Sequence, residues 1–269
     1  MTSTMIAVDG GDVWADDSGG DGPPLVMLHP GVGDSRIWAP VLAPLTAKYR
    51  VIRYDARGFG QSPAPTVKFS LLRDLVAVLD HYGVERAALV GCSQGGGSSL
   101  ELTLAQPERV SALVLLCPGI PGFPMTRQEE AAMIGPDKAA EIEADYTRAE
   151  AAGDVDALAA VVRRIWGASG DTPAVVEQSR SAARASITTG DLELEDPPVF
   201  GRLGEITVPA SLMVGDADYP PLVEADRQAA SRIPGCEFVF VPGMDHFPPL
   251  REPELVLDLI TRTLARADW

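Results

Sequence analysis

Arg86-Ala87-Ala88-Leu89-Val90-Gly91-Cys92-Ser93-Gln94-Gly95-Gly96-Gly97-Ser98-Ser99-Leu100 is the stretch that decides how this chain reads. Its centre, Gly91-Cys92-Ser93-Gln94-Gly95, is a G-x-S-x-G pattern between an apolar run and a helix-compatible segment. A strand that turns at once into a helix leaves almost no room for side chains at the flanking positions, and glycine meets that need. The turn forces its central residue into an exposed, strained conformation. The Ser93 hydroxyl is therefore expected to stand clear at the end of a strand, with the Gln94 backbone N–H aimed where an oxyanion would form. Five-residue matches arise by chance, so the meaning of this one rests on the strand before it and the helix after it.

Working outward, Met5–Val8 and Asp12–Ala15 read as a hairpin around Asp9-Gly10-Gly11-Asp12. Pro24–Leu28, Arg50–Tyr54, Ala87–Val90, Ser111–Leu116, Ala210–Val214 and Glu237–Val241 are short apolar runs suited to buried strands. Between them lie helical patterns at Leu71–Tyr82, Gly95–Ala105 and Pro253–Ala267, with a poorer one at Ile37–Ala47 that Pro40 and Pro44 interrupt. Alternating strand and helix predicts an α/β fold with a mostly parallel central sheet flanked by helices. The alternation stops near Pro118 and resumes near Ile206. In the interval, Val155–Trp166 reads as a helix ended by Gly167, and Thr172-Pro173 as the start of another. The expected organisation is a core of residues 1–118 and 206–269 with a helical lid of residues 119–205 inserted over the strand ends.

The composition suits a core of this kind: 269 residues, 46% of them hydrophobic, is enough for one domain with an insertion. No apolar run is long enough to span a bilayer and no signal peptide is visible, so a cytoplasmic protein is expected. The three cysteines, Cys92, Cys117 and Cys236, are widely spaced beside apolar runs and read as reduced and mostly buried. Basic residues number 22 against 38 acidic, a formal net charge of −16, which argues against a nucleic-acid partner. That charge would also repel anionic substrates unless a local cation offsets it. Neither a metal cluster nor a dinucleotide fingerprint nor a lipidation motif is present, so no cofactor, metal or membrane partner is expected and the partner is a small-molecule substrate.

A serine hydroxyl needs a base to become a nucleophile. Of the three histidines, His81 sits near a helix end and His29 opens the loop Pro30-Gly31-Val32-Gly33. His246 lies between the last strand and the last helix, at the sheet edge where Ser93 is expected, and is the candidate base. A carboxylate must hold its tautomer. Val214-Gly215-Asp216-Ala217-Asp218-Tyr219 offers two, of which Asp218 lies further into the loop and is preferred, with Asp216 as the alternative. Asp245 adjoins His246 too closely in sequence for a well-aligned bond to the ring.

The chain order Ser93, Asp218, His246 resembles that of the α/β-hydrolases. The resemblance includes His29-Pro30-Gly31 and Asp55-Ala56-Arg57-Gly58-Phe59-Gly60-Gln61-Ser62 and covers nearly everything outside the lid. Within that superfamily the chain looks most like 3-oxoadipate enol-lactonases and related carboxylesterases. It departs from them in having Phe59 where histidine is common and His29-Pro30 where His-Gly is common. The resemblance implies a second oxyanion donor in the loop after His29. Gly31 fits, since Pro30 has no N–H. It also implies a structural role for His29, Asp55 and Arg57. Trp38, Phe123, Met125, Met133, Trp166 and Phe247 are candidates for an apolar pocket beneath the lid, with ordinary core packing as the alternative.

The expected activity is hydrolysis of a small carboxylic ester or lactone through an acyl-enzyme on Ser93. The same scaffold is used for carbon–carbon bond hydrolysis and cofactor-free perhydrolysis, and fold cannot choose among them. A non-catalytic small-ligand receptor is the rival from another class. Oligomeric state is not legible.

Overall fold

A computed structural model describes residues 1–195 and 197–269. The eight strands are β1 (Thr2–Val8), β2 (Gly11–Asp17), β3 (Pro24–Leu28), β4 (Arg50–Tyr54), β5 (Ala87–Cys92), β6 (Val110–Leu116), β7 (Ala210–Gly215) and β8 (Glu237–Val241). The helices are α1 (Ala39–Thr46), α2 (Leu71–His81), α3 (Gln94–Ala105), α4 (Arg127–Ile134), α5 (Pro136–Ala151), α6 (Val155–Trp166), α7 (Pro173–Thr189), α8 (Pro220–Arg232), α9 (Pro248–Arg251) and α10 (Pro253–Leu264).

One sheet runs β1-β2-β4-β3-β5-β6-β7-β8. β1 pairs with β2 and β2 with β4 antiparallel, and every pairing from β4 to β8 is parallel. β5, β6 and β7 are buried along their whole length, as their unbroken apolar sequences require of strands covered on both faces. The strand order reverses about β3: the chain steps out to β4, then returns to the other side of β3 as β5. At such a switch point the loops leaving two adjacent strands diverge and open a crevice at their carboxyl ends. His29–Gly31 leaves β3 there, and Ser93 leaves β5.

The expected helices are present, with informative differences. Pro40 falls in the first turn of α1, where a missing N–H costs little, and only Pro44 lies inside that helix. Among the described residues, the interval between β6 and β7 holds α4 to α7, two short 3-10 turns and no strand. Thr172 caps α7 by accepting from the Val175 N–H (3.3 Å), and Thr126 and Glu129 form a reciprocal capping box on α4. No helix is long and apolar enough to cross a membrane among the described residues.

Arg57 and Asp74 form a buried pair, with Nε to Oδ2 at 2.7 Å and Nη2 to Oδ1 at 2.8 Å. Arg57 Nη2 also donates to the Asp9 carbonyl (2.7 Å), and the guanidinium lies over the Phe69 ring. Asp55 accepts from the Ser35 and Gln61 N–H groups. Both residues hold the β4 exit loop in place.

Candidate active site

Ser93 has φ 50° and ψ −115°, and it shares with Cys117 the distinction of being a non-glycine residue at positive φ among the described residues. Strain of this kind costs on the order of 1–3 kcal/mol and persists only where the surroundings enforce it. Here they do. Ser93 N–H donates to the Leu116 carbonyl (3.0 Å), and its own carbonyl accepts from Gly97 (3.0 Å) and Gly119 (2.8 Å). A Cβ at Gly91 would collide with the Gly95 carbonyl, and one at Gly95 with the Leu28 carbonyl. The two glycines that flank the serine are therefore required by close backbone approach on either side of the turn.

Asp218 is the carboxylate that meets His246: its Oδ2 lies 2.8 Å from Nδ1, with both side chains fully buried. Its Oδ1 accepts from the Tyr219 N–H at 2.6 Å, which fixes the carboxylate plane. The bond to Asp218 places the imidazole proton on Nδ1 and leaves Nε2 as an acceptor. Nε2 has no hydrogen-bond partner among the described residues. Asp216 instead accepts from the Gly243 N–H (2.6 Å) and braces the loop that carries His246. Asp245 braces the same loop, ion-paired to Arg251 (2.7 Å) and accepting from the Phe247 and Ser169 N–H groups. His29 is structural: Nδ1 donates to the Pro30 carbonyl and Nε2 accepts from the Ala56 N–H, both at 2.9 Å.

Two features here escaped the sequence reading. Cys117 Sγ lies in one cluster with the Asp218 carboxylate and the His246 ring, their polar atoms all within 4.8 Å of one another. Burial pushes the thiols of Cys92 and Cys117 well above their ordinary range, and the Asp218 charge pushes them further. Both stay protonated, so Cys92 is no rival nucleophile to Ser93 and Cys117 is a poor metal ligand. Asp226 on α8 is fully buried, and neither carboxyl oxygen has a hydrogen-bond partner among the described residues; burial, then the Asp218 charge, push its pKa well up. Both causes disfavour the charged form of Asp226 beside Asp218.

The inserted helices are fastened to this site at several points. His246 N–H donates to the Trp166 carbonyl (3.1 Å), and the Trp166 ring lies over the imidazole with centroids 4.3 Å apart. Ser169 Oγ donates to the Gly243 carbonyl (2.7 Å). Gln178 on α7 accepts from the Asp34 N–H (2.8 Å) and donates to its carboxylate (3.2 Å). Gly33 leaves room for that clasp, since a Cβ there would collide with the Gln178 amide. Burial works against ionisation of Asp34, but hydrogen bonds from Arg36 outweigh it and hold its pKa well below the ordinary carboxylate range. The Asp34–Arg36 pair therefore stabilises the fold above the unfolded Asp pKa of about 3.9, and its contribution fades as acid titrates the folded group. Asp34→Asn is expected to lower Tm at pH 7, with the deficit shrinking below about pH 4. A pH series of thermal melts checks this, and a deficit that persisted unchanged into acid would contradict it.

A cavity of about 640 Å³ opens beside the two oxyanion candidates, lined by Gly31, Gln94 and Trp166 among others. Of the apolar residues expected to line a pocket, Trp166 alone borders this one. Trp38 and Phe247 are fully buried in the main core cluster. Phe123 packs edge-on against Phe200, 5.0 Å between centroids. Met133, on α4, is largely exposed and borders a separate cavity of about 280 Å³ with Asp218 and Tyr219. Met125 is half-buried and borders neither cavity.

The family model described as "alpha/beta hydrolase fold" matches residues 23–190. The 2-hydroxymuconate semialdehyde hydrolase of Pseudomonas sp. (strain CF600) is 42% identical over 115 residues, 40% of this chain and 40% of that protein. Matched stretches of this kind span 30–40% of the length of the curated relatives. Among solved structures, carboxylesterase CesB from Bacillus subtilis superposes with a TM-score of 0.74 at 23% identity over 98% of this chain and 91% of that one. The enol-lactonase from Burkholderia xenovorans LB400 gives 0.69 at 22% identity over 97% and 100%. These two likenesses speak for the fold. Asp218 and His246 lie beyond the family match, yet the sheet brings them to the edge from which Ser93 departs. From the strand order, the serine turn and the match over residues 23–190, the chain belongs to the α/β hydrolase fold family.

Proposed function

We propose that this protein cleaves a small carboxylic ester or lactone through an acyl-enzyme on Ser93. The observation that carries the reading is the pairing of a strained Ser93 turn with a buried Asp218–His246 couple whose Nε2 has no partner among the described residues. In this scheme Nε2 takes the serine proton as Oγ attacks the carbonyl carbon, and Asp218 stabilises the imidazolium that forms. The Gly31 and Gln94 backbone N–H groups hold the developing oxyanion. His246 then returns the proton to the leaving alcohol and activates the water that releases the acid. The inserted helices act as a lid that keeps bulk water from the acyl-enzyme.

A second reading, hydrolysis of a carbon–carbon bond next to a carbonyl, is favoured by the 42% identity to the semialdehyde hydrolase. The test is a fluorophosphonate probe read by intact mass. One adduct, absent in Ser93→Ala, is the expected result. No adduct on folded protein would overturn the acyl-enzyme reading.

A further inference from the structure

We propose, resting on the ester-hydrolase reading above, that Trp166 is a positioning residue of the reaction: its ring face stabilises the imidazolium that His246 becomes when it takes the serine proton. The indole and imidazole centroids lie 4.3 Å apart with the rings inclined at 38°. The electron-rich face of an indole attracts a cation within about 6 Å and does far less for a neutral ring. The contact therefore strengthens as the proton arrives. That is the condition under which an interaction lowers a barrier rather than only steadying the ground state.

Burial is what makes such a contact matter. The His246 and Asp218 side chains are both fully buried, so bulk water does little to solvate the charge that forms. Asp218 answers it at the ring edge, through Nδ1 at 2.8 Å. Asp245 and Arg251, the charged groups that brace the same loop, are paired with each other at 2.7 Å. A neutral aromatic face stabilises the imidazolium without placing a further charge in the interior to be desolvated.

The indole is fixed in this place from several directions. The Trp166 carbonyl accepts from the His246 N–H (3.1 Å), so one residue engages both the backbone and the ring of the base. Trp166 is the last residue of α6, which the Gly167 N–H closes on the Arg163 carbonyl (2.8 Å). The chain beyond is bonded to the histidine loop and α9: Ser169 N–H donates to Asp245 (3.0 Å), and Arg251 Nη2 to the Gly170 carbonyl (2.6 Å). The Tyr219 ring packs against the indole, centroids 5.1 Å apart, and its hydroxyl donates to Glu130 on α4 (2.9 Å). The inserted helices thus carry an aromatic ring held against the base, beyond the part Trp166 plays in bordering the cavity.

Fluorination tests this, because fluorine drains charge from an indole face while nearly keeping its shape. The protein is prepared with tryptophan, 5-fluorotryptophan or 5,6-difluorotryptophan, and hydrolysis of phenyl acetate is followed by pH-stat at pH 7. With each fluorine kcat is expected to fall by about twofold, with little change in KM. The rate of fluorophosphonate labelling, which needs the same proton transfer, should fall in parallel, and it alone decides if phenyl acetate is a poor substrate. In W166F, where Trp14, Trp38 and Trp269 are still fluorinated, the dependence should vanish. W166L, which keeps an apolar cover but no π face, should lose about tenfold in kcat, and W166F less. Rates that stay level along the fluorinated series, or that fall equally in W166F, would overturn the proposal and leave the hydrolase reading standing. A folded natural protein that neither labels nor turns over would remove the hydrolase reading, and this proposal with it.

Discussion

Ser93→Ala is expected to lower kcat/KM for any ester the protein accepts by about 10⁴-fold or more. Without the hydroxyl no acyl-enzyme forms, and what is left is the binding of the substrate and the N–H groups that polarise its carbonyl. The loss should come without a loss of stability. Alanine has the same Cβ as serine, so the strain at φ 50° is neither relieved nor increased, and among the described residues the Ser93 hydroxyl makes no capping bond to the helix it opens. A Tm close to that of the natural protein, measured beside the pH-stat rate, separates the two effects. Retention of a tenth or more of the activity would remove Ser93 from the mechanism.

How much of this could be read in the sequence depends on whether local chemistry or tertiary approach decides each point. The serine turn was legible because its demands are local. Gly91 has no room for a side chain beside the Gly95 carbonyl four residues on, and that need shows directly in the sequence, whereas Gly95 makes room for the Leu28 carbonyl of the neighbouring strand β3. The parallel sheet was legible because β5, β6 and β7 are buried on both faces and so read as unbroken apolar runs. The division of labour in Asp216-Ala217-Asp218 was not. Two carboxylates two residues apart have the same chemistry, and only the path of the Gly243–His246 loop gives one to a backbone N–H and the other to the imidazole.

The pocket was the least legible part. Trp38, Phe247 and Trp166 are alike as large apolar residues, but the first two are fully covered while Trp166 lies over the His246 ring. Hydrophobicity cannot separate a core side chain from a pocket side chain, because both leave water. Contacts between distant segments were hidden for a different reason, since they are products of helix packing. The Gln178–Asp34 clasp likewise spans 144 positions of sequence. Its one local trace is Gly33, whose missing side chain makes room for the Gln178 amide.

Asp218→Asn is expected to cost about 10⁴-fold in kcat/KM, and the reason lies in the second bond that Asp218 makes. Oδ1 accepts from the Tyr219 N–H at 2.6 Å, so an asparagine must keep its oxygen there and present its amide N–H₂ to His246. Nδ1 then becomes an acceptor, the imidazole proton moves to Nε2, and the atom that should receive the serine proton already carries one. The imidazolium that would form also loses its counter-charge. Asp216→Asn is the matched control. An amide oxygen can still accept from the Gly243 N–H, so its activity should stay within a few-fold of the natural protein. Steady-state rates of the two variants, with fluorophosphonate labelling rates alongside, decide the assignment. Collapse in D216N with D218N nearly unaffected would transfer the role to Asp216. Equal, modest losses in both would mean that neither carboxylate sets the tautomer of His246.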